Sequence, residues 1–432
     1  MSIGLKEKAF LRLETVIEQD PSTALYLVDG LGLSGKTKAL ADLVTGLDES
    51  RYRPVVCRFR AEGGPIESRL NSSGVALRVA PCKDRLNVSI IGRLARIMRE
   101  ERPTVVHCYN PRAMLYGGLA ARLSGVTATV GSLSAFACLV PDREFAFLPQ
   151  RLFTMTGKNR LRNRLACRFM RHLVSVSRTL GEGFCRFSGV PLSKLRVIPY
   201  GTDTDSAWIH TSLEVSAYRS TLGVKPDEIL IGSVGRLVEQ KDYPTQLRAF
   251  ALAAQRSPRL KMLLVGDGSL RGSLERMAQD LKVRERVMFL GHTDQIPLVL
   301  RSLDVFVMTS KFEPFGVALI EAKSAGLPIV STSVGVVSDL VGDGESGVVC
   351  PPGNFERLAE AFVTLADDAD LRKRLGDRAL REAHERHSLR AVVGQYEQLY
   401  DEAKGVSHYD RAVVVAGRLP MDQEWECQES AE

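Results

Sequence analysis

The sequence predicts an α/β protein built from two doubly wound domains of similar size. Short apolar runs alternate with longer amphipathic stretches from residue 24 onward, which is typical of βαβ units around a parallel sheet. The alternation stops at "VIPYGTDTD" (197–205), which is rich in turn-forming residues, and then starts again. A chain of 432 residues also exceeds the size of one ordinary hydrophobic core.

Each element follows from the spacing of its apolar residues. In the first half the predicted strands are 24–29, 53–59, 75–80, 104–108, 126–131, 173–176 and 195–198, and the predicted helices are 35–47, 66–72, 87–101, 111–124 and 177–187. In the second half the strands are 229–234, 261–265, 286–289, 304–308, 328–331 and 347–349. The helices there are 242–256, 269–281, 294–302, 316–325, 335–341 and 354–366, followed by further helix and a C-terminal helix at 389–403.

These elements divide the chain into five parts. We predict an extra amphipathic helix within 1–23, an N-terminal domain over 24–203 and a C-terminal domain over 204–388. We predict that the helix 389–404 returns to the N-terminal domain and that the weakly periodic tail 405–432 is separate. Because ligands bind at the carboxyl ends of the strands in such sheets, the expected site is the cleft between the domains.

Charge is distributed unevenly along the chain. Residues 1–200 contain 31 Lys and Arg against 16 Asp and Glu, whereas the remainder contains 27 against 35, within a formal net charge of +7. A basic half of this kind attracts anionic partners such as nucleic acid, lipid headgroups or phosphorylated substrates. The eight cysteines are scattered without a C-x-x-C pair, and the N-terminus lacks an apolar signal segment, so a cytoplasmic location is predicted.

The segment "GLGLSGKT" (30–37) matches the P-loop pattern G-x-x-x-x-G-K-[ST], with Lys36 and Thr37 at the expected positions. A P-loop enzyme also needs an Asp after a following strand to hold Mg²⁺. The predicted strands that end at Phe59 and near His107 lack one. We therefore favour a coincidental match, and a P-loop ATPase or kinase stays open as an alternative.

Three segments of the second half carry a different chemistry. Arg236 and Lys241 lie on one loop between a strand and a helix, where two cations can converge on a diphosphate. "VGDG" (265–268) ends a strand with glycines that let a backbone approach a ligand. Glu313 precedes a helix whose free N–H groups would face an anion, and Glu321 lies further along that helix. If any one of these charged residues occurred without the others, it would more often be an ordinary solvated surface residue than part of a binding site.

In this order the segments resemble the retaining nucleotide-sugar glycosyltransferases of GT-B fold, family 4, over roughly residues 24–402. The motif Glu-x7-Glu is met by Glu313 and Glu321, and "GRL" with Lys241, "VGDG", "FLGH" (289–292) and "SGVVCPPGN" (346–354) accompany it. The resemblance implies that Arg236 and Lys241 neutralise the diphosphate leaving group, so that no metal or other cofactor is required. It also implies that Glu313 contacts the donor sugar.

The same resemblance implies a donor site for a UDP-sugar or GDP-sugar. Glu321 would bind the ribose, and the backbone at Phe315, Gly316 and Val317 would lie against sugar and phosphate. The other donor-binding positions are Gly35, Gly235, Gly266 and Gly268. One departure concerns acceptor activation: many members carry a His after the fifth strand, where this chain has Gly131 and Ser132. His107 and Asn110 are the acceptor-side candidates, with a plain structural role as the alternative.

The segment 151–172 combines seven Lys and Arg residues and His172 with no acidic residue and an apolar side. This pattern favours docking on an anionic membrane surface over an ordinary exterior helix.

Together, the motifs and the resemblance predict a retaining transferase that moves a hexose to a glycan or lipid-linked acceptor in polysaccharide or lipopolysaccharide assembly. We expect it to be cytoplasmic or peripheral on the inner membrane face. A non-catalytic binding protein is the remaining alternative. Nucleic acid is not an expected partner, because no recognition motif accompanies the basic half.

Overall fold

The computed structural model describes residues 20–32, 35–60, 64–82, 87–133, 157–204, 208–313 and 316–405. The extra helix predicted within 1–23 and the tail after residue 405 lie outside these residues, apart from 20–23. No helix within the described ranges is both long and apolar enough to cross a membrane.

A parallel sheet with the order β3-β2-β1-β4-β5-β6-β7 forms the centre of the N-terminal domain. Its strands are β1 (Ser22–Val28), β2 (Tyr52–Arg58), β3 (Ala76–Val79), β4 (Val105–Cys108), β5 (Ala128–Ser132), β6 (His172–Ser175) and β7 (Leu195–Val197). Its helices are α1 (Gly35–Gly46), α2 (Pro65–Ser72), α3 (Ser89–Glu101), α4 (Pro111–Leu123), α5 (Gly157–Arg168) and α6 (Arg178–Ser188).

The C-terminal domain repeats the plan with the sheet order β10-β9-β8-β11-β12-β13. Its strands are β8 (Ile229–Val234), β9 (Leu260–Val265), β10 (Val287–Gly291), β11 (Val305–Met308), β12 (Ile329–Thr332) and β13 (Gly347–Cys350). The helices are α7 (Ser212–Thr221), α8 (Tyr243–Arg256), α9 (Arg271–Asp280), α10 (Ile296–Arg301), α11 (Val317–Ser324), α12 (Val337–Leu340), α13 (Phe355–Asp367), α14 (Ala369–Glu382) and α15 (Leu389–Lys404). The prediction of two doubly wound parallel-sheet domains is confirmed.

Both faces of each sheet are covered by helices, which explains why the strands are continuous apolar runs in the sequence. In β1, Leu25 and Leu27 pack in one core layer and Tyr26 in the other. The observed bounds of the predicted strands and helices agree with their predictions within two residues. Apolar spacing was therefore sufficient to locate these elements.

Helix α7 was not predicted from the sequence. It contains no fully buried residue, and only partly buried side chains such as Tyr218 pack on the core, so its apolar periodicity is weak. Its N-terminus carries a capping box in which Thr211 and Glu214 exchange hydrogen bonds with each other's backbone. The T-x-x-E spacing was the available signal.

The chain passes between the domains twice, side by side. Thr202 and Ser388 form an isolated parallel bridge, in which the Thr202 N–H donates to the His387 carbonyl oxygen at 2.9 Å. Helix α15 then packs on the N-terminal domain, where Arg51 binds Glu397 at 2.5 Å and Asp401 at 2.7 Å. Residues 389–404 thus complete the core of the N-terminal sheet.

Candidate active site

Arg236 and Lys241 lie in the loop after β8, at the carboxyl edge of the second sheet. The loop is held in place by Thr309, whose hydroxyl oxygen is 3.1 Å from the carbonyl oxygens of both Lys241 and Asp242. Asp242 adopts a left-handed φ of 49° directly before α8. The Arg236 side chain is exposed, and within the described part of the chain no acidic group pairs with it. Its guanidinium is therefore available to an anion.

Glu313 is buried and both of its carboxylate oxygens have partners. Oε2 accepts a hydrogen bond from Lys241 Nζ at 2.5 Å, and Oε1 accepts one from the Gly316 N–H at 3.2 Å. The Lys241 side chain also passes over Gly235, where an added Cβ would lie 3.5 Å from Lys241 Cε. The carboxylate thus fixes the ammonium group and the start of α11 relative to each other.

The N-terminus of α11 opens towards the N-terminal domain. Gly316 has a left-handed φ of 65°, and a Cβ there would meet Leu340 Cδ1 at 2.4 Å. Across the cleft, a Cβ on Gly35 at the start of α1 would be 4.0 Å from Val317 Cγ2. Two helix N-termini therefore face one region of the cleft, and each contributes partial positive charge to it. Phe315 lies outside the described residues.

Glu321 lies one turn into α11 and pairs across the cleft with Lys38 of α1, Nζ to Oε1 3.6 Å. Burial raises the pKa of the Glu321 carboxyl above its ordinary value, and the Lys38 charge opposes that shift. A cleft of about 1180 Å³ adjoins this pair and is lined from both domains, with Trp208 and His292 among its walls. This space is ample for a nucleotide-sized ligand.

The "VGDG" turn packs backbone against backbone on the Arg236 loop. Gly266 has φ 122°, and a Cβ there would stand 2.1 Å from the Gly235 carbonyl oxygen. A Cβ on Gly268 would stand 2.4 Å from the Leu237 carbonyl oxygen. The Leu237 N–H in turn donates to the Asp267 carbonyl oxygen at 2.9 Å. The glycines are needed because only backbone fits between these loops.

In the segment that matches a P-loop, the Lys36 and Thr37 side chains hydrogen-bond to backbone carbonyl oxygens of the protein. The Lys36 ammonium donates to the Tyr109 carbonyl oxygen, and the Thr37 hydroxyl donates to the Gly32 carbonyl oxygen at 2.5 Å. Tyr109 and Phe59 follow β4 and β2, the neighbours of β1, so neither strand supplies an Asp for Mg²⁺. Gly35 still lies at the cleft, opposite α11.

The two acceptor-side candidates have structural partners. His107 has no exposed surface: Nδ1 lies 2.8 Å from the Tyr400 hydroxyl and Nε2 2.8 Å from the Ser132 hydroxyl. Asn110 caps α4, its side chain accepting from the Ala113 N–H at 2.8 Å. Ser132 lines a small cavity beside His107, together with Tyr109 and Tyr396. Its position at the end of a predicted strand was the signal available in the sequence.

The described part of the basic segment 151–172 includes α5. The helix contains no acidic residue, and its outer face carries Leu161 and Leu165, which are 60% and 45% exposed. Four exposed arginines flank these leucines, namely Arg160, Arg162, Arg164 and Arg168. No cluster of metal-ligating side chains occurs in the described ranges.

Two doubly wound parallel-sheet domains with a cleft lined from both of them define the GT-B class of protein. Residues 34–206 match the family described as Glycosyltransferase Family 4, and residues 215–382 match the family described as Glycosyl transferases group 1. The chain belongs to these group 1, family 4 glycosyltransferases.

Individual relatives agree with this assignment. The lipopolysaccharide core biosynthesis glycosyltransferase LpsE of Rhizobium meliloti is 35% identical over 189 residues, 44% of this chain and 54% of LpsE. The UDP-Gal:alpha-D-GlcNAc-diphosphoundecaprenol alpha-1,3-galactosyltransferase of Escherichia coli is 26% identical, over 73% of this chain and 80% of that enzyme. The chain spans about half the length of several curated relatives that it matches.

The fold also has solved counterparts. The crystal structure of Anabaena HepE in complex with UDP superposes with a TM-score of 0.75 at 21% identity, covering 88% of this chain and 100% of HepE. The overall architecture is therefore shared across both domains.

Proposed function

We propose that this protein is a retaining glycosyltransferase that transfers a hexose from a nucleotide diphosphate sugar to a glycan or lipid-linked acceptor. The observation that carries the proposal is that Glu313 joins Lys241 to the N-terminus of α11, while the exposed Arg236 belongs to the same loop as Lys241. The names of LpsE and of the E. coli galactosyltransferase support a role in lipopolysaccharide or polysaccharide assembly. The UDP bound by HepE supports a UDP-sugar donor, with a GDP-sugar as the second option.

The chemistry required is departure of a nucleoside diphosphate. As the bond between the sugar C1 and the phosphate oxygen breaks, negative charge develops on the diphosphate, where the two cations and the helix dipole stabilise it. Glu313 is held by Lys241 and the Gly316 N–H, so it acts in orientation and not as a nucleophile. The acceptor oxygen then bonds to C1 on the face that the phosphate leaves, and its proton passes to the departing phosphate oxygen.

The first test is ligand-induced thermal stabilisation of the full chain. We expect UDP or GDP to raise the melting temperature in EDTA as well as in Mg²⁺, because the protein's own cations neutralise the diphosphate. Arg236→Ala should weaken binding about tenfold or more, as expected for loss of a charge-assisted hydrogen bond. Arg248→Ala, which removes an exposed arginine from α8, is the matched control and should bind normally.

Two results would contradict this proposal. Stabilisation by Mg²⁺-ATP alone, lost in Lys36→Ala, would favour the P-loop ATPase or kinase. Unchanged function in cells carrying Arg236→Ala would favour a non-catalytic binding protein. Either outcome would leave the family membership intact and overturn the activity.

We also propose that the segment 151–172 docks on an anionic membrane surface. Arginine heads would contact lipid phosphates while Leu161 and Leu165 enter the interface. Replacing the four arginines of α5 by Gln should reduce co-sedimentation with phosphatidylglycerol vesicles at least about tenfold, because each basic residue contributes about 1 kcal/mol near such a surface. The control removes four exposed cations of the C-terminal domain, Lys373, Arg374, Arg381 and Arg386. Equal binding by both variants would exclude α5 as the docking surface.

A further inference from the structure

Lys38 belongs to α1 of the N-terminal domain but pairs with a residue of the C-terminal domain. Its Nζ lies 3.6 Å from Oε1 of Glu321 on α11. Lys36, two residues earlier in "GKTK" (35–38), donates to the Tyr109 carbonyl oxygen of its own domain instead. The two lysines of this segment therefore serve different domains.

The Lys38 and Glu321 charges pair with each other and not with nearer charged groups. Asp42 lies one turn after Lys38 on α1, at the spacing of a helical ion pair. Its Oδ1 is instead 2.6 Å from Arg69 Nη1, so Asp42 is already neutralised. Within the described part of the chain, Lys38 is also the cation that pairs with Glu321.

The pair matters more to the carboxylate than to the ammonium group. The Lys38 side chain is 54% exposed, whereas that of Glu321 is 17% exposed. An exposed cation that loses such a contact returns to water, so the pair contributes little to holding the domains together. For Glu321, burial favours the neutral form and raises the pKa, and the Lys38 charge opposes that shift. The main effect of Lys38 is therefore on the charge of Glu321.

The charge of Glu321 decides how it can bind a ligand. Lys38 and Glu321 both line the cleft of about 1180 Å³, so a ligand there contacts the pair. A charged carboxylate accepts hydrogen bonds on both oxygens, whereas a protonated carboxyl keeps one oxygen as a donor. Hydrogen bonds to a charged acceptor are about twice as strong as neutral ones. A vicinal diol, with two hydroxyl donors side by side, therefore needs the charged form.

We propose that Lys38 is a positioning residue for ribose recognition, which holds Glu321 as an oriented anion that accepts from the 2′- and 3′-hydroxyls of the donor nucleotide. The inference rests on the proposed donor site, because it assumes that the ribose lies against Glu321. Recognition of the ribose then requires both domains, since the cation and the carboxylate come from opposite sides of the cleft.

The test compares the dissociation constants of UDP and 2′,3′-dideoxy-UDP for the full chain by calorimetric titration. The corresponding guanine nucleotides are used instead if the wild type prefers guanine. The two ligands share their base and diphosphate, so the ratio of their constants isolates the ribose hydroxyls. The wild type should prefer UDP at least about tenfold, as expected for hydrogen bonds to a charged acceptor.

Lys38→Met should lower this preference about fivefold, because the hydrogen bonds from the ribose lose their charged acceptor. Binding of dideoxy-UDP should stay within about twofold of the wild type. Lys38→Arg keeps the positive charge and should restore most of the preference. A merely structural role for Lys38 would weaken both ligands together and leave their ratio unchanged.

A double-mutant cycle and a control variant complete the experiment. In a Glu321→Gln background, Lys38→Met should have no further effect on the preference, because the charge on which Lys38 acts is absent. The matched control is Arg96→Met, which removes an exposed cation of α3 in the same domain, outside the cleft lining. It should leave both dissociation constants unchanged.

The outcomes separate this inference from the proposed function. A wild type that binds no nucleotide overturns the donor site and the inference with it. A wild type that binds both ligands equally overturns the inference and leaves the diphosphate site standing. An unchanged preference in Lys38→Met, with or without a parallel loss of both ligands, also overturns the inference alone. A loss confined to UDP, restored by Lys38→Arg and absent in the Glu321→Gln background, supports it.

Discussion

Glu313→Gln is expected to reduce transfer about a hundredfold or more while UDP binding is retained. The substitution keeps the size of the side chain but removes its negative charge. In the wild type the charged carboxylate pairs with Lys241 and accepts a hydrogen bond from the Gly316 N–H. Positioned charges of this kind typically contribute a factor of about 100 to 1,000 to turnover. Because the opposing negative charge is lost, the site becomes more positive, and UDP should bind equally well or up to about threefold more tightly.

Two measurements test this prediction: initial-rate kinetics for donor turnover, and calorimetric titration for the UDP dissociation constant. Glu239→Gln is the matched control, since Glu239 belongs to the same loop but is exposed and pairs only with Lys311, at 3.3 Å, among the described residues. It should leave both quantities unchanged. Parallel losses of UDP binding and turnover in Glu313→Gln would instead mean that Glu313 serves mainly to hold the loop in place. Normal turnover would remove Glu313 from the mechanism.

Gly266→Ala is expected to destabilise the protein by about 3 kcal/mol and to abolish nucleotide binding. The new Cβ would lie 2.1 Å from the Gly235 carbonyl oxygen, and the φ of 122° is unfavourable for any residue with a Cβ. Relief of the clash requires the loop that carries Arg236 to move, because the partner atom belongs to the backbone. Strain and overpacking of this kind each cost about 1 to 3 kcal/mol.

Thermal unfolding and UDP titration of the same sample test this expectation. Gly272→Ala is the control: it lies in α9, and a Cβ there meets no atom within 4 Å. Ala in place of Gly in a helix should raise stability by about 0.5 to 1 kcal/mol and leave UDP binding unaltered. A Gly266→Ala protein that melts and binds as the wild type does would show that the two loops are not packed as described.

Much of the fold was accessible from the sequence because it depends on local periodicity. The apolar runs of β1 and β8 and the helical spacing of α1 and α8 gave their bounds closely. Helix α7 was missed for the same reason, since a helix with no fully buried residue leaves only a weak periodic pattern. The predicted diphosphate role of Arg236 and Lys241 came from their residue types on one loop as well as from a resemblance. The sugar and ribose roles of Glu313 and Glu321 came mainly from the resemblance, and the chemistry of all four stays a prediction.

The sequence by itself determined the two-domain architecture and the order of the chemical groups along the chain, because strand and helix periods and glycine turns are encoded within a few residues. Only the tertiary structure decided which of those groups meet. Lys241 reaches Glu313 from 72 residues away, and Lys38 meets Glu321 across the cleft. His107 is enclosed by α15, 293 residues from its partner Tyr400, so that Ser132 and not the imidazole faces the cavity. Such contacts depend on how whole layers pack, and no local pattern specifies them.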